Sequence, residues 1–436
     1  MLTTFGCQMN QADAQRIRGL LNRLGYNETE DESEADLILF NTCCVRQHAE
    51  QRLIGRIQSL INTKKRNSDL IIGVAGCMAQ NMQGELLEAL PLVDLVFGPN
   101  DIEDLPLLLQ RATSEKTTGN FAPRGAFDGE SADGIVLHRP FSAMVNIIRG
   151  CTNFCSYCIV PYVRGREISR PINDIIRELH YLDSKEVKEV TLLGQNVNSY
   201  HYEEDGKVIT FPELLRRLCA EDTKHIRWIR FDSPHPKDFT GELIEVIRSE
   251  EKVAKHLHIP LQSGSTRILK AMNRKYTKEQ FISLITTIRS AIPSVTFATD
   301  VMVGFPTESE EEYRETLEVL RLLQCPEAFM YYFNPREGTK AVELEGQIDE
   351  ETKSRRLSEL IDFQLEIFQT VRRARIGAIL EVLVSQQSRD DEHRMLGKSE
   401  HNEMVAFTSD APIGSFVTVR LTGLKGNTLQ GEVVHV

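Results

Sequence analysis

No stretch of the chain approaches the roughly 18 uncharged apolar residues of a membrane span. The opening residues, MLTTFGCQMN, lack the basic segment and apolar run of a secretory signal peptide. Internal repeats and low-complexity tracts are also missing. So is a basic excess: 51 Lys and Arg stand against 63 Asp and Glu, a formal charge of −12. That balance excludes a surface that grips nucleic acid all over and leaves room for a local basic face. Nine cysteines are present, an odd number and no disulfide framework. The sequence therefore predicts a cytoplasmic, reducing setting, no membrane partner, and metal or redox work for clustered thiols. What is there in quantity is ordinary: 436 residues, 41% hydrophobic and 26% charged. That suits a soluble chain of two or three domains with real cores.

Residues 1–112 alternate short apolar runs with helical patterns. ADLILFNTC and LIIGVAGC read as buried strands that each end at a cysteine, and VDLVFGPND as a further strand. The expectation is a small α/β domain with a parallel sheet. Residues 113–138, rich in Gly, Ser, Thr and charge, read as a linker. From 139 to 371 the alternation returns with six strands: AMVNIIRG, EVTLLGQNVNSY, WIRFDS, HLHIPLQSG, VTFATDVMVGFP and EAFMYYFNP. Six β/α units predict an open or partial (β/α)6 barrel whose chemistry sits where strands end. Residues 372–436 change to short β-type runs and predict a small β-barrel of the oligonucleotide-binding type.

Cys151, Cys155 and Cys158 form CxxxCxxC after the first of the six strands. Thiolates so close converge on one soft metal centre. A [4Fe–4S] cluster held by three thiolates leaves one iron free for a substrate or cofactor. A zinc ion with a distant fourth ligand and plain buried cysteines are the alternatives. Cys7, Cys43 and Cys77 each close a strand. Parallel strands end on one side, so these three thiols can also meet, or can be isolated buried cysteines.

CxxxCxΦC, with Tyr157 as the aromatic, resembles the radical S-adenosylmethionine (SAM) enzymes. TFGCQMN, NTCCVR, AGC and GCTNFCSYCIVPYVRGREISRP, in that order and across nearly the whole chain, resemble the methylthiotransferase family. GCQMN, VPYVRGRE and HIPLQSGS are most similar to the branch that acts on isopentenylated adenosine in tRNA. The resemblance implies two [4Fe–4S] clusters, one on Cys151, Cys155 and Cys158 binding SAM, the other an auxiliary cluster on Cys7, Cys43 and Cys77. Cys44 stands where the family has a small non-ligand residue; motif alignment selects Cys43. The implied reaction places a methylthio group on C2 of N6-isopentenyladenosine at position 37 of tRNA, next to the anticodon. One SAM methylates the sulfur and another yields a 5′-deoxyadenosyl radical, because the C2 hydrogen is neither acidic nor a leaving group.

Strand-end position and resemblance together assign the SAM contacts. Gly194, Gln195 and Asn196 stand where the second strand meets the methionyl amino group, and Ser233 ends the third strand. Gln262 and Ser263 are expected to reach the ribose or carboxylate. Arg274 pairs with the carboxylate bidentately or is a solvated helix-end arginine. Gly304 is expected to admit the adenine, with Asp300 behind it or capping its strand. Arg149, Arg164, Arg166 and Arg170, relieved by Glu167, read as a cationic patch for the anticodon stem-loop or as a solvated charge run. The tail resembles the TRAM domain, an RNA-binding module, yet carries eight basic and eight acidic residues over 372–436. Implied partners are tRNA carrying isopentenyladenosine, an electron donor such as flavodoxin or ferredoxin, and a cluster or sulfur carrier. Cys219 and Cys325 read as structural. Threonylcarbamoyladenosine or a ribosomal-protein aspartate as substrate, a two-cluster electron carrier, and a non-catalytic RNA-binding protein are the competing readings.

Overall fold

In the first domain, apolar residues alternate between two faces of one sheet. Its strands are β1 (Leu2–Thr4), β2 (Leu37–Thr42), β3 (Ile71–Gly76), β4 (Leu95–Phe97) and β5 (Thr118–Asn120), all parallel and in sequence order. Ile38, Phe40, Ile72 and Val74 enter one apolar cluster, while Leu37, Leu39, Ile71 and Ala75 enter the other. That period of two is what a strand buried on both faces requires. The computed structural model describes residues 1–43, 47–115, 118–121, 135–137, 139–388, 391 and 393–434, with backbone alone for 47–50, 115 and 118. Cys44 and most of the expected linker lie outside these residues. The part of 113–138 that is described begins as the end of helix Leu105–Glu115 and as β5. The β5 sequence, Thr-Gly-Asn, has no apolar side chain to mark it and pairs with β4 through its backbone.

All six strands expected in the centre are present: β6 (Ser142–Asn146), β7 (Glu189–Leu193), β8 (Trp228–Phe231), β9 (His256–His258), β10 (Thr296–Val303) and β11 (Glu327–Tyr332). They form two parallel ladders, β6–β7–β8 and β9–β10–β11. The ladders join where Ile229 N donates to Lys252 O (2.7 Å) and Ala254 N donates to Ile229 O (3.0 Å). β6 and β11 are the edges of this partial barrel. Its outward residues, such as Val145, Val190, Ile229, Phe297 and Val301, share one apolar cluster with the helices. No helix among the described residues is long and apolar enough to cross a membrane.

The tail closes as a barrel of β12 (Ile379–Gln387), β13 (Arg394–Ser399), β14 (Met404–Thr408), β15 (Phe416–Lys425) and β16 (Thr428–Val433), in order β12–β13–β14–β16–β15. The sequence pattern misses β13, RMLGKS, because Gly397 and Lys398 interrupt its alternation. The β13–β14 turn seats against the amino-terminal ends of the central strands. Arg230 donates to Glu400 O (2.7 Å) and Ser399 O (2.9 Å), Thr296 Oγ1 to His401 O (3.2 Å), and Asn402 Nδ2 to Glu327 Oε2 (3.2 Å). Phe141, Trp228 and Leu383 bury a small apolar patch beside it. Arg230 also pairs with Glu189, both 7% exposed. Removing one partner of such a pair leaves the other charged and dry. Arg230→Ala is therefore expected to cost about 3 to 5 kcal/mol, measured as an earlier unfolding transition in a urea titration.

Candidate functional site: thiols of two domains around one cavity

Parallel strands end on a common side, and three of the thiols follow directly. Cys7 caps helix Gln8–Arg23 after β1, Cys43 follows β2, and Cys77 opens helix Cys77–Met82 after β3. Adjacent strands make the three residues neighbours. The hydrogen bond between Cys7 and Cys43, then the nearby Arg164 charge, lower the Cys7 thiol to about 6 against the opposing effect of burial. Asn10 and Asn41 lock this edge. Asn10 Nδ2 donates to Thr42 O (2.9 Å), and Asn41 Nδ2 donates to Asn10 O (2.6 Å). Sequence reasoning missed both asparagines, although TFGCQMN and NTCC carry them beside the cysteines. Gly6 sits at φ +134°, and a Cβ there would lie 2.4 Å from Cys43 Cβ.

The second set lies in the loop after β6. That loop folds back through a short antiparallel pair, Ile148–Arg149 with Ile168–Ser169. Cys151 N donates to Gly165 O (3.0 Å) and Cys158 N to Cys155 O (3.0 Å). Ser156 Oγ donates to Ala271 O (2.9 Å), and Asn273 Nδ2 donates to Phe154 O (2.7 Å), where Phe154 holds φ +46°. Burial pushes the Cys151 thiol up to about 11 and the Cys158 thiol to about 12. Such thiols stay protonated unless a cation replaces the proton.

Cys7, Cys43, Cys77, Cys151 and Cys158 line one cavity of about 210 Å3 between the two domains. Met9, Val160 and Val163 give it apolar walls, and Gly194, Gln195, Ser233 and Arg164 complete it. Cys155 sits beside the buried Arg274, whose Nη1 donates to its sulfur at 3.4 Å. None of the eight described cysteines forms a disulfide, and no group of three or more His, Cys, Asp or Glu among the described residues is close enough to hold a single metal ion. Cys325 is buried in the central core and Cys219 packs against it. Desolvation raises both thiols to about 12.

The residues expected to contact SAM divide. Gln195 Oε1 accepts from Gly150 N (2.6 Å), which ties the end of β7 to the cysteine loop. Gly194 leaves no room for a side chain: its Cβ would lie 2.2 Å from Ile148. Asn196 Nδ2 donates to Asp238 Oδ2 (3.1 Å) and Glu167 Oε1 (3.3 Å), while its Oδ1 is buried without a partner. Gln262, at φ +68°, extends the β10 ladder through its backbone. Ser263 does not face the site: it is fully buried, and its Oγ accepts from Ser265 N (3.2 Å). Beside Gly304, at φ +70°, the missing Cβ makes room for Lys353, 2.6 Å from where it would stand, rather than for an adenine. Arg274 is buried and not a solvated helix end; its Nε donates to Tyr276 Oη (3.0 Å). Tyr157 packs against the apolar cluster that holds Phe305 and Phe333, and burial holds its hydroxyl protonated.

The expected cationic patch is corrected. Arg149, Arg164 and Arg170 are 8%, 5% and 2% exposed, and only Arg166 of the four is exposed. The loop folds back on the strands, so these arginines meet partners inside. Arg149 donates to Asn100 Oδ1 (3.4 Å), and Arg170 pairs with Glu178. Arg164 Nη2 donates to Asp13 Oδ2 (2.7 Å), and its Nε donates to Cys77 Sγ (3.2 Å). Asp13, across the domain boundary, was not foreseen.

Comparison with known proteins fits this geometry. The profile of Uncharacterized protein family UPF0004 matches residues 1–98, that of the radical SAM superfamily residues 145–320, and that of the TRAM domain residues 373–434. The tRNA-2-methylthio-N(6)-dimethylallyladenosine synthase of Alkaliphilus oremlandii is 42% identical over 100% of this chain and 92% of its own. Its counterpart in Acetivibrio thermocellus is 41% identical over 100% of this chain and 90% of its own. Among solved structures, a radical S-adenosylmethionine methyltransferase from Kitasatospora setae, with cobalamin and a [4Fe-4S] cluster bound, shares the fold. Its TM-score is 0.56 at 14% identity, over 76% of this chain and 73% of its own.

The Gly6 position offers a direct check on the thiol arrangement. Gly6→Ala is expected to destabilise the protein by about 1 to 3 kcal/mol through overpacking against Cys43, read by urea denaturation, and to speed alkylation of Cys43 in the metal-free protein.

Proposed function

The chain belongs to the family of tRNA-2-methylthio-N(6)-dimethylallyladenosine synthases, and on that footing we propose how its residues carry out the reaction. It is a radical SAM methylthiotransferase. The substrate is tRNA bearing N6-dimethylallyladenosine at position 37, next to the anticodon, and the product carries a methylthio group at C2. One observation carries this reading: three cysteines of the first domain and two of the CxxxCxxC loop of the second line the same cavity, with Cys155 of that loop beside Arg274.

Three thiols per set suit a [4Fe–4S] cluster with one iron open to a ligand. Cys151, Cys155 and Cys158 would hold the SAM-binding cluster, and Cys7, Cys43 and Cys77 the auxiliary one. When bound, these groups supply an electron to SAM, a carbon-centred radical able to attack an unactivated C–H bond, and a sulfur atom for transfer.

The chain's own residues bind, orient and exclude water. Arg274 brings positive charge to Cys155, and Arg164 brings it to Cys77. Both donate hydrogen bonds to sulfur, which orients the two side chains. Met9, Val160 and Val163 give the thiol-lined cavity apolar wall, which limits quenching by water. Gln195 holds the cysteine loop to β7 through Gly150. Glu167 receives Thr152 N (3.2 Å) and Asn196 Nδ2 (3.3 Å), fixing the other side of the loop. A flavodoxin- or ferredoxin-type reductant and a sulfur or cluster carrier complete the cycle. Eight described cysteines, none of them in a disulfide, support a reducing, cytoplasmic setting.

The test uses anaerobically reconstituted protein with SAM, a reductant and tRNA carrying dimethylallyladenosine, followed by nucleoside mass spectrometry. Wild type is expected to give the 2-methylthio product and release 5′-deoxyadenosine. Cys151→Ala abolishes both. Cys7→Ala retains 5′-deoxyadenosine release and loses the methylthio product. A Cys151→Ala protein that still forms product would overturn the catalytic assignment.

A further inference from the structure

Six parallel strands have two faces, and only the outer one is core. On β10, Phe297, Val301 and Val303 point out into the helical layer. Asp300 and Met302 alternate with them and point into the bore. β11 runs in register, with Phe329 opposite Asp300 and Tyr331 opposite Met302, so both rings share the inner face. His258 on β9 continues this wall. Its Nε2 lies 2.9 Å from Asp300 Oδ2, and its ring stacks on Phe329 with centroids 5.1 Å apart and planes at 29°. Phe329 and Tyr331 are each 42% exposed, on the edge strand of the partial barrel. Two half-exposed aromatic rings thus stand on an inward face outside the lining of the thiol-lined cavity.

We infer that Phe329, Tyr331 and His258 receive the prenylated adenine: the rings stack on the base and its apolar tail, and the His258–Asp300 pair meets its polar edge. The chemistry selects this occupant. An adenine drawn out of its stack presents a flat π-face, which single-stranded RNA modules take up on aromatic side chains. The dimethylallyl tail adds a small apolar group beside that face. The edge position of β11 gives a flipped nucleotide a sideways route in. This inference rests on the substrate reading above and names the residues that distinguish the prenylated base from plain adenine.

Fluorescence anisotropy with two anticodon stem-loop RNAs tests it. One carries N6-dimethylallyladenosine and the other plain adenosine, and the cluster-loaded protein is used without SAM. Phe329→Ala and Tyr331→Ala are expected to weaken binding of the prenylated RNA by about tenfold, and the plain RNA by clearly less. Tyr331→Phe, which keeps the ring, retains the preference. Phe329→Leu keeps apolar volume without a π-face and decides the matter if an alanine variant loses iron or unfolds early: a collapsed preference upholds the wall. An unchanged preference in Phe329→Leu and in every folded alanine variant overturns it. Nucleoside mass spectrometry on wild type separates the two levels. No methylthio product from wild type defeats the substrate reading itself, whereas product formation with unaltered preference in the variants defeats only this wall.

Discussion

The guanidinium of Arg164 is where two domains become one site. It is 5% exposed, bonded to Asp13 of the first domain and to the sulfur of Cys77. A dry guanidinium needs a carboxylate and good geometry, because desolvation otherwise outweighs the attraction. Arg164 leaves helix Val160–Val163, just past the cysteine loop, and finds that carboxylate only when helix Gln8–Arg23 of the other domain lies against β6. Met9 and Ala12 of that helix pack on Leu193, with Met144 beside them, and Val163 and Ile159 pack on Cys77. The polar pair fixes the angle of approach, and the apolar contacts supply the area.

The same opposition of charge and dryness shapes the thiols. Cys7, near Arg164 and hydrogen-bonded to Cys43, has a thiol lowered to about 6. Cys151 and Cys158, raised first by desolvation and further by the neighbouring Cys155, stand at about 11 and about 12. One cavity therefore holds thiols of opposite tendency, and the difference follows from burial and hydrogen bonding rather than from residue type.

Much of this was legible in the sequence where a local pattern carries the information. Apolar runs that stop at Cys43 and Cys77 place those residues at strand ends, and parallel strands put strand ends on one side. The six central strands follow from apolar runs bounded by glycine and polar clusters. What was not legible depends on what lies opposite a residue in space. Arg149, Arg164 and Arg170 look like a solvated basic run until the loop folds back and gives them Asn100, Asp13 and Glu178. Asp13 and Arg164 are separated by 151 positions. Gly304 announces a close approach but not by whom, and Lys353 answers. Phe329 and Tyr331 sit in EAFMYYFNP, a run that reads as buried throughout, because alternation within an all-apolar stretch does not say which face is open.

The seating of the C-terminal barrel has a consequence for rigidity. Its β13–β14 turn bonds at once to Arg230 on β8, in one ladder, and to Thr296 and Glu327 at the starts of β10 and β11, in the other. It is a cross-tie: the two halves of the partial barrel cannot spread at that end without breaking its bonds.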